Sequence, residues 1–139
     1  MDATTTGQCA CGAVRYSAEG APVMAFHCQC RDCQRSSGGG HASLMVYPRA
    51  ALQVTGTLKF HRVIADSGKP AQRGFCPECG SPVVGMPESR PTMMAIYAAT
   101  LDDPSVFTPK AVLYTRSGHS WDDVGPALMR FEGMPPGHG

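Results

Sequence analysis

The sequence predicts an all-β fold of short strands, and three observations carry that prediction. Sixteen glycines and twelve prolines in 139 residues imply frequent turns. Short segments rich in Val, Thr, Ile and Tyr lie between those turns. No stretch repeats apolar residues at helical spacing over several turns.

Taken in order, residues 13–17 (AVRYS) alternate and predict a strand. Residues 27–40 are rich in Cys, Ser, Gly and Arg, and are expected to form a loop too polar for a core element. Residues 41–47 (HASLMVY) predict a strand that Pro48 ends. Segments 52–55 and 57–63 flank Gly56 and predict a hairpin. Residues 66–70 read as a turn, 72–75 lead into a cysteine pair, and 81–85 read as a strand. In segment 92–99 (TMMAIYAA), Met and Ala favour a helix, whereas Ile, Tyr and the preceding Pro91 fit a buried strand. Its shortness favours the strand. Residues 102–104 predict a turn, and 111–115 a strand. Residues 120–124 predict one helical turn capped by Ser120, and 133–139 a frayed tail.

The length suits one domain, 1–139, able to bury a core without staples. A net charge of +1, with no Lys/Arg stripe interleaved with aromatics, argues against a nucleic-acid partner. No apolar run approaches the ~18 residues that span a bilayer, so no membrane insertion is expected. Residues 1–9 are polar and Thr-rich, without the apolar core of a signal peptide. The expected location is the cytoplasm. There, an odd set of seven cysteines reads as metal ligands rather than disulfides.

Those cysteines fall into three groups: Cys9 and Cys11 as C-x-C, Cys28, Cys30 and Cys33 as C-x-C-x-x-C, and Cys76 and Cys79 as C-x-x-C followed by Gly80. In an extended segment, side chains two apart share a side, so C-x-C offers two sulfurs to one ion. C-x-x-C wraps a turn around a metal, and Gly80 supplies the positive φ such a turn often needs. Zinc accepts four thiolates at about 2.3 Å in a structural site. Seven sulfurs divide as four plus three. Spacing leaves the partners open: Cys9 and Cys11 can join Cys76 and Cys79, or Cys28 and Cys30. The middle three reach one ion unaided, which favours the first arrangement. Packing alone explains these spacings poorly, and a redox role for Cys76 and Cys79 lacks the βαβ context.

The strings GQCACGAV at 7–14, HCQCRDCQRSSGG at 27–39 and RGFCPECGS at 73–81 resemble the motifs of the glutathione-dependent formaldehyde-activating enzyme family. Residues 101–104 (LDDP) and the stretch from Tyr114 to Trp121 resemble its C-terminal half. The resemblance spans nearly the whole chain and includes all the cysteines. It implies a β-tent of short antiparallel strands. It also implies a structural zinc on Cys9, Cys11, Cys76 and Cys79. A second, catalytic zinc with an open position would sit on Cys28, Cys30 and Cys33. The family's named reaction joins glutathione and formaldehyde, and the family is classed with carbon–sulfur lyases. A small thiol such as glutathione is therefore the implied substrate. Without its ion the triad is oxidisable, so that zinc is expected to be the more easily lost.

An anionic thiol needs cations, and Arg31, Arg35 and Arg73 lie near the cysteines in sequence. Taken singly, each reads first as a solvated surface arginine. The 36–40 run can offer backbone N–H groups to an anion or be a plain flexible loop. His27 and His41 are candidate fourth ligands or general bases, though a lone His is more often structural. The competing function is a non-catalytic, zinc-stabilised protein-binding or chaperone-like module, which needs only the closed site.

Overall fold

The computed structural model describes residues 3–136, and strands dominate among them. They are β1 (Thr4–Gln8), β2 (Arg15–Glu19), β3 (Met24–Cys28), β4 (Ala42–Pro48), β5 (Leu52–Thr55), β6 (Lys59–Ile64), β7 (Pro70–Phe75), β8 (Pro82–Pro87), β9 (Met93–Tyr97), β10 (Ala111–Leu113) and β11 (Met129–Arg130). Helix α1 (Arg31–Ser37) lies between β3 and β4. A small antiparallel sheet has the order β1-β2-β5, and a large sheet the order β11-β10-β3-β4-β9-β8-β7-β6. The all-β expectation is borne out, with one addition. β10 pairs parallel to both β3 and β11, so the large sheet is mixed at that edge.

Alternation gives the large sheet two apolar faces. On one face Ala25, Met45, Tyr47, Met94 and Ile96 pack with Val14, Tyr16 and Ala18 of the small-sheet layer. Tyr47 and Ile96 are fully buried there. Tyr16 Oη lies 2.8 Å from Thr100 Oγ1, and burial pushes this phenol up to about 12. On the other face Phe26, Leu44, Ala95 and Tyr97 pack with the three middle cysteines and Leu113. Register makes one row across this second face: Met24 opposite Val46, then Ala95, Gly85 and Arg73. A Cβ on Gly85 would come 3.2 Å from Arg73 Nη1, so this glycine leaves room for the guanidinium to lie along the sheet.

Several expectations need correction. Residues 52–55 and 57–63 do not form a hairpin: β5 joins β2, while β6 pairs with β7. The chain changes sheets at Gly56, whose φ is +89°. The segment 27–40 is not all loop, because His27 and Cys28 finish β3 and α1 follows. Cys30 caps that helix with its sulfur, and Gly38 ends it in the left-handed conformation. A sulfur cap is not one of the usual capping signals. The predicted helical turn at 120–124 is absent. A 3-10 turn forms instead at Thr115–Ser117, after Tyr114 takes a left-handed φ of 58°. The Thr-rich residues 4–8 form β1, which suits a β-branched run. Of the predicted tail, Gly133 O accepts from Tyr114 N, and residues 137–139 lie outside the described residues.

Candidate metal centres

Cys9 and Cys11 follow β1, and Cys76 and Cys79 follow β7. Each pair wraps a tight turn: Gly12 N donates to Cys9 O at 3.1 Å, and Gly80 N donates to Cys76 O at 2.8 Å. Gly80 has the positive φ, 78°, anticipated for it. The four sulfurs lie within 4.8 Å of one another. Cys9 and Cys11 sulfurs are 3.7 Å apart, and those of Cys11 and Cys76 are 3.8 Å apart. Tetrahedral zinc with arms of about 2.3 Å has sulfur–sulfur edges of about 3.8 Å. The donor set therefore fits that ion. Val14 N donates to Cys9 Sγ at 3.3 Å. Ser81 Oγ accepts from Ala10 N at 3.0 Å and sits 3.2 Å from Cys79 Sγ, tying the two turns together. Hydrogen bonding from the Ser81 hydroxyl, then from backbone N–H groups, pulls Cys79 down to about 5.

Cys28 ends β3, Cys30 caps α1, and Cys33 lies in its first turn. Their sulfurs also lie within 4.8 Å of one another, and all three residues are buried. Cys33 N donates to Cys30 Sγ at 3.2 Å. Hydrogen bonds from Cys28 and Cys33 draw Cys30 down to about 3, while donation to Cys30 pushes Cys28 up to about 12. Crowding thus favours ionisation of Cys30 over its two neighbours, and a bound cation would offset the cost of ionising all three. Such a set suits a soft divalent metal. Among the described residues, no His, Asp or Glu completes this group. All three cysteines instead line a cavity of about 380 Å³.

The candidate histidines are elsewhere. His27 points to the opposite side of β3 from Cys28, with Nδ1 2.9 Å from Ser43 Oγ and its ring edge-on to His41 and Phe107. Burial and the neighbouring His41 lower it to about 4. His41 Nδ1 lies 2.9 Å from both carboxylate oxygens of Asp122. Burial pushes Asp122 up, but hydrogen bonds from His41 and Gln29 outweigh it and hold the carboxyl below its usual range. Arg73 lines the cavity and pairs with Asp32 of α1. Its Nε is buried without a hydrogen-bond partner. The Arg31 side chain bonds Gln34 Oε1 rather than the cavity. In the 36–40 run, Gly38 N donates to Gln34 O and Gly39 N to Ser37 Oγ, so these N–H groups are already committed.

Sequence reasoning missed the glutamines that brace the triad. Gln34 Nε2 donates to Gln29 O at 2.8 Å and to Ser117 O at 3.0 Å, while Gln34 Oε1 lies 2.8 Å from His119 Nε2. Gln29, between two cysteines, reaches Asp122 with its own amide. Gln29 and Gln34 are the buried polar residues of the described chain. A polar residue beside a cysteine carries no sequence signal of burial. Replacing Gln34 by Leu strands two carbonyls, at about 1–3 kcal/mol each. We expect Tm to fall by roughly 5–15 °C. An unchanged thermal melt would mean that the brace is idle.

These features define a small β-protein organised around two cysteine clusters, one of four sulfurs and one of three facing a cavity. The family model described as glutathione-dependent formaldehyde-activating enzyme matches residues 4–117, and the chain belongs to that family. A Rhodobacter sphaeroides protein of known crystal structure shares the fold. Its TM-score is 0.58 at 20% identity, covering 91% of this chain and 98% of that one. No curated protein matches the sequence. Among the described residues, no helix is long and apolar enough to cross a membrane.

Proposed function

We propose that the chain is a zinc-dependent enzyme of the carbon–sulfur lyase type, acting on an adduct between a small thiol and a carbonyl carbon. The thiol implied by the family description is glutathione, with formaldehyde as its partner. The observation that carries this reading is the buried triad of Cys28, Cys30 and Cys33, which faces a cavity and finds no fourth protein ligand among the described residues. A closed cluster would serve a purely structural role. A three-ligand cluster has the general form of a zinc site that accepts substrate.

Cys9, Cys11, Cys76 and Cys79 would hold the structural ion, and Cys28, Cys30 and Cys33 the second. That second zinc would supply deprotonation of a substrate thiol at its open position. The rest of the task falls to the chain. Apolar walls exclude water from the sulfur and carbon. The Arg73 guanidinium lines the cavity, is fixed by Asp32 and would set a positive charge beside the adduct. The glutamine brace holds the loop that carries the cysteines, so the contribution is largely positioning. Seven free thiols suit a reducing compartment such as the cytoplasm.

Cobalt substitution of the reduced protein tests this reading. Cobalt–thiolate absorption should show about two ions per chain, and glutathione should alter the spectrum of one of them. A spectrum that no cellular thiol alters would overturn the reading and leave a zinc-stabilised binding module.

A further inference from the structure

The cavity beside the triad is larger and more apolar than formaldehyde requires. Its floor is the sheet row Met24, Val46, Ala95, Gly85 and Arg73, with Phe26 and Leu44 alongside. Phe26 sits two residues before Cys28 on the same face of β3, so the apolar floor runs directly up to the sulfurs. Met93 and Met134 add flexible walls that adapt to varied shapes. The exposed residues Asp66, Ser67, Lys69, Ser89 and Arg90 also line the cavity and so mark its mouth. Deeper in, the charge of Arg73 already faces Asp32.

Neither named substrate fills this space well. Formaldehyde has one carbon, against a cavity of about 380 Å³. Glutathione carries two carboxylates and an ammonium, and burying such groups against apolar walls is costly. The charged mouth, with Asp66 beside Lys69 and Arg90, suits a thiol that carries both carboxylates and an ammonium, and the apolar depth suits a substituent attached to its sulfur.

We infer that the carbon partner carries an apolar chain or ring, which lies along the Phe26–Leu44–Val46 floor while the thiol's sulfur sits at the triad and its charged groups extend toward the mouth. The inference rests on the thiol-adduct reading above and names its carbon side. In the adduct, sulfur bonds the carbonyl carbon, the carbonyl π bond opens, and the thiol proton ends on oxygen. Cleavage reverses each of these changes, so no oxidant or reductant is needed.

S-alkylglutathiones mimic the adduct's sulfur and its substituent. Calorimetry on the zinc-loaded protein should show Kd falling about three- to fourfold per methylene from S-methyl- to S-hexylglutathione. The half-buried Val46 belongs to the floor and Met93 to a wall, so V46W or M93W should erase that chain-length gain. Both folded variants should keep about two bound metal ions per chain, since neither residue belongs to a cysteine cluster. Far-UV circular dichroism confirms that at least one of the two is folded. A flat series overturns the inference. So does a gain that both folded variants retain, because the chain would then bind elsewhere. The cobalt spectrum separates the two readings. A glutathione response with a flat series rejects only the apolar partner. No response to any thiol rejects the open metal site itself.

Discussion

Replacing Cys76 by Ser is expected to abolish cooperative folding. Cys76 is fully buried in the core shared by the two sheets, as is Cys9. Its sulfur is 3.8 Å from that of Cys11. The cluster joins the turn after β1 in the small sheet to the turn after β7 in the large one. The shared apolar core and the Ser81 bond to Ala10 also join the two layers, but neither would replace four metal–sulfur bonds at these turns. Structural zinc supplies about 10–16 kcal/mol of apparent folding energy in small zinc domains. Whole domains are stable by only about 5–15 kcal/mol. Serine keeps the volume but offers an oxygen that binds zinc weakly at neutral pH. The expected result is low soluble yield, little bound metal and no sharp thermal transition. Strong chelation of the parent protein should give the same outcome. A C76S protein that melts cooperatively within a few degrees of the parent would refute the structural role of this cluster.

Replacing Cys33 by Ser is expected to leave the fold standing and empty one site. Cys33 belongs to the second apolar cluster, away from the joint between the sheets. Its backbone N–H still caps onto Cys30 Sγ, and the α1 bonds from Gln34 to Gln29 and Ser117 remain. Two cysteines hold zinc far less well than three. Bound metal should fall from about two ions per chain to about one, with Tm lowered by only a few degrees. The cobalt response to glutathione should vanish, and turnover with it. The contrast with C76S is the informative part. If both substitutions unfold the protein equally, the division into structural and reactive clusters fails.

The cysteine groups and the Gly80 turn were legible in the sequence because each is a local pattern with a local geometric cause. The pairing of Cys9 and Cys11 with Cys76 and Cys79 was favoured but not fixed, since the middle three can reach one ion unaided while spacing also allowed Cys28 and Cys30. That choice depends on β1 and β7 ending side by side, which no window of residues reveals. The hairpin at Gly56 failed for the same reason. A turn residue says that the chain bends, not which strand receives it, and β5 and β6 enter different sheets. The strand at 92–99 succeeded because its length decided between two periodicities, and β9 (Met93–Tyr97) followed. Helix α1 was missed because it has no apolar stripe. It is held by a sulfur at one end, Gly38 at the other and Gln34 in the middle. The side-chain roles of Gln29, Gln34 and Asp122 arise only from the packing of distant segments.

The cap of α1 has a consequence of its own. Cys30 Sγ is both a member of the triad and the acceptor for the first turn of the helix. One atom therefore carries two loads, and neither can change alone. Anything that removes electron density from this sulfur, such as a disulfide or a sulfenic acid, weakens its grip on Cys33 N. The helix that carries Asp32 and Gln34 then loosens, and with it the anchor of Arg73 and the brace of the loop. Oxidative damage at this point would spread as a local melting of the cavity wall, while the four-sulfur joint between the sheets stayed shut.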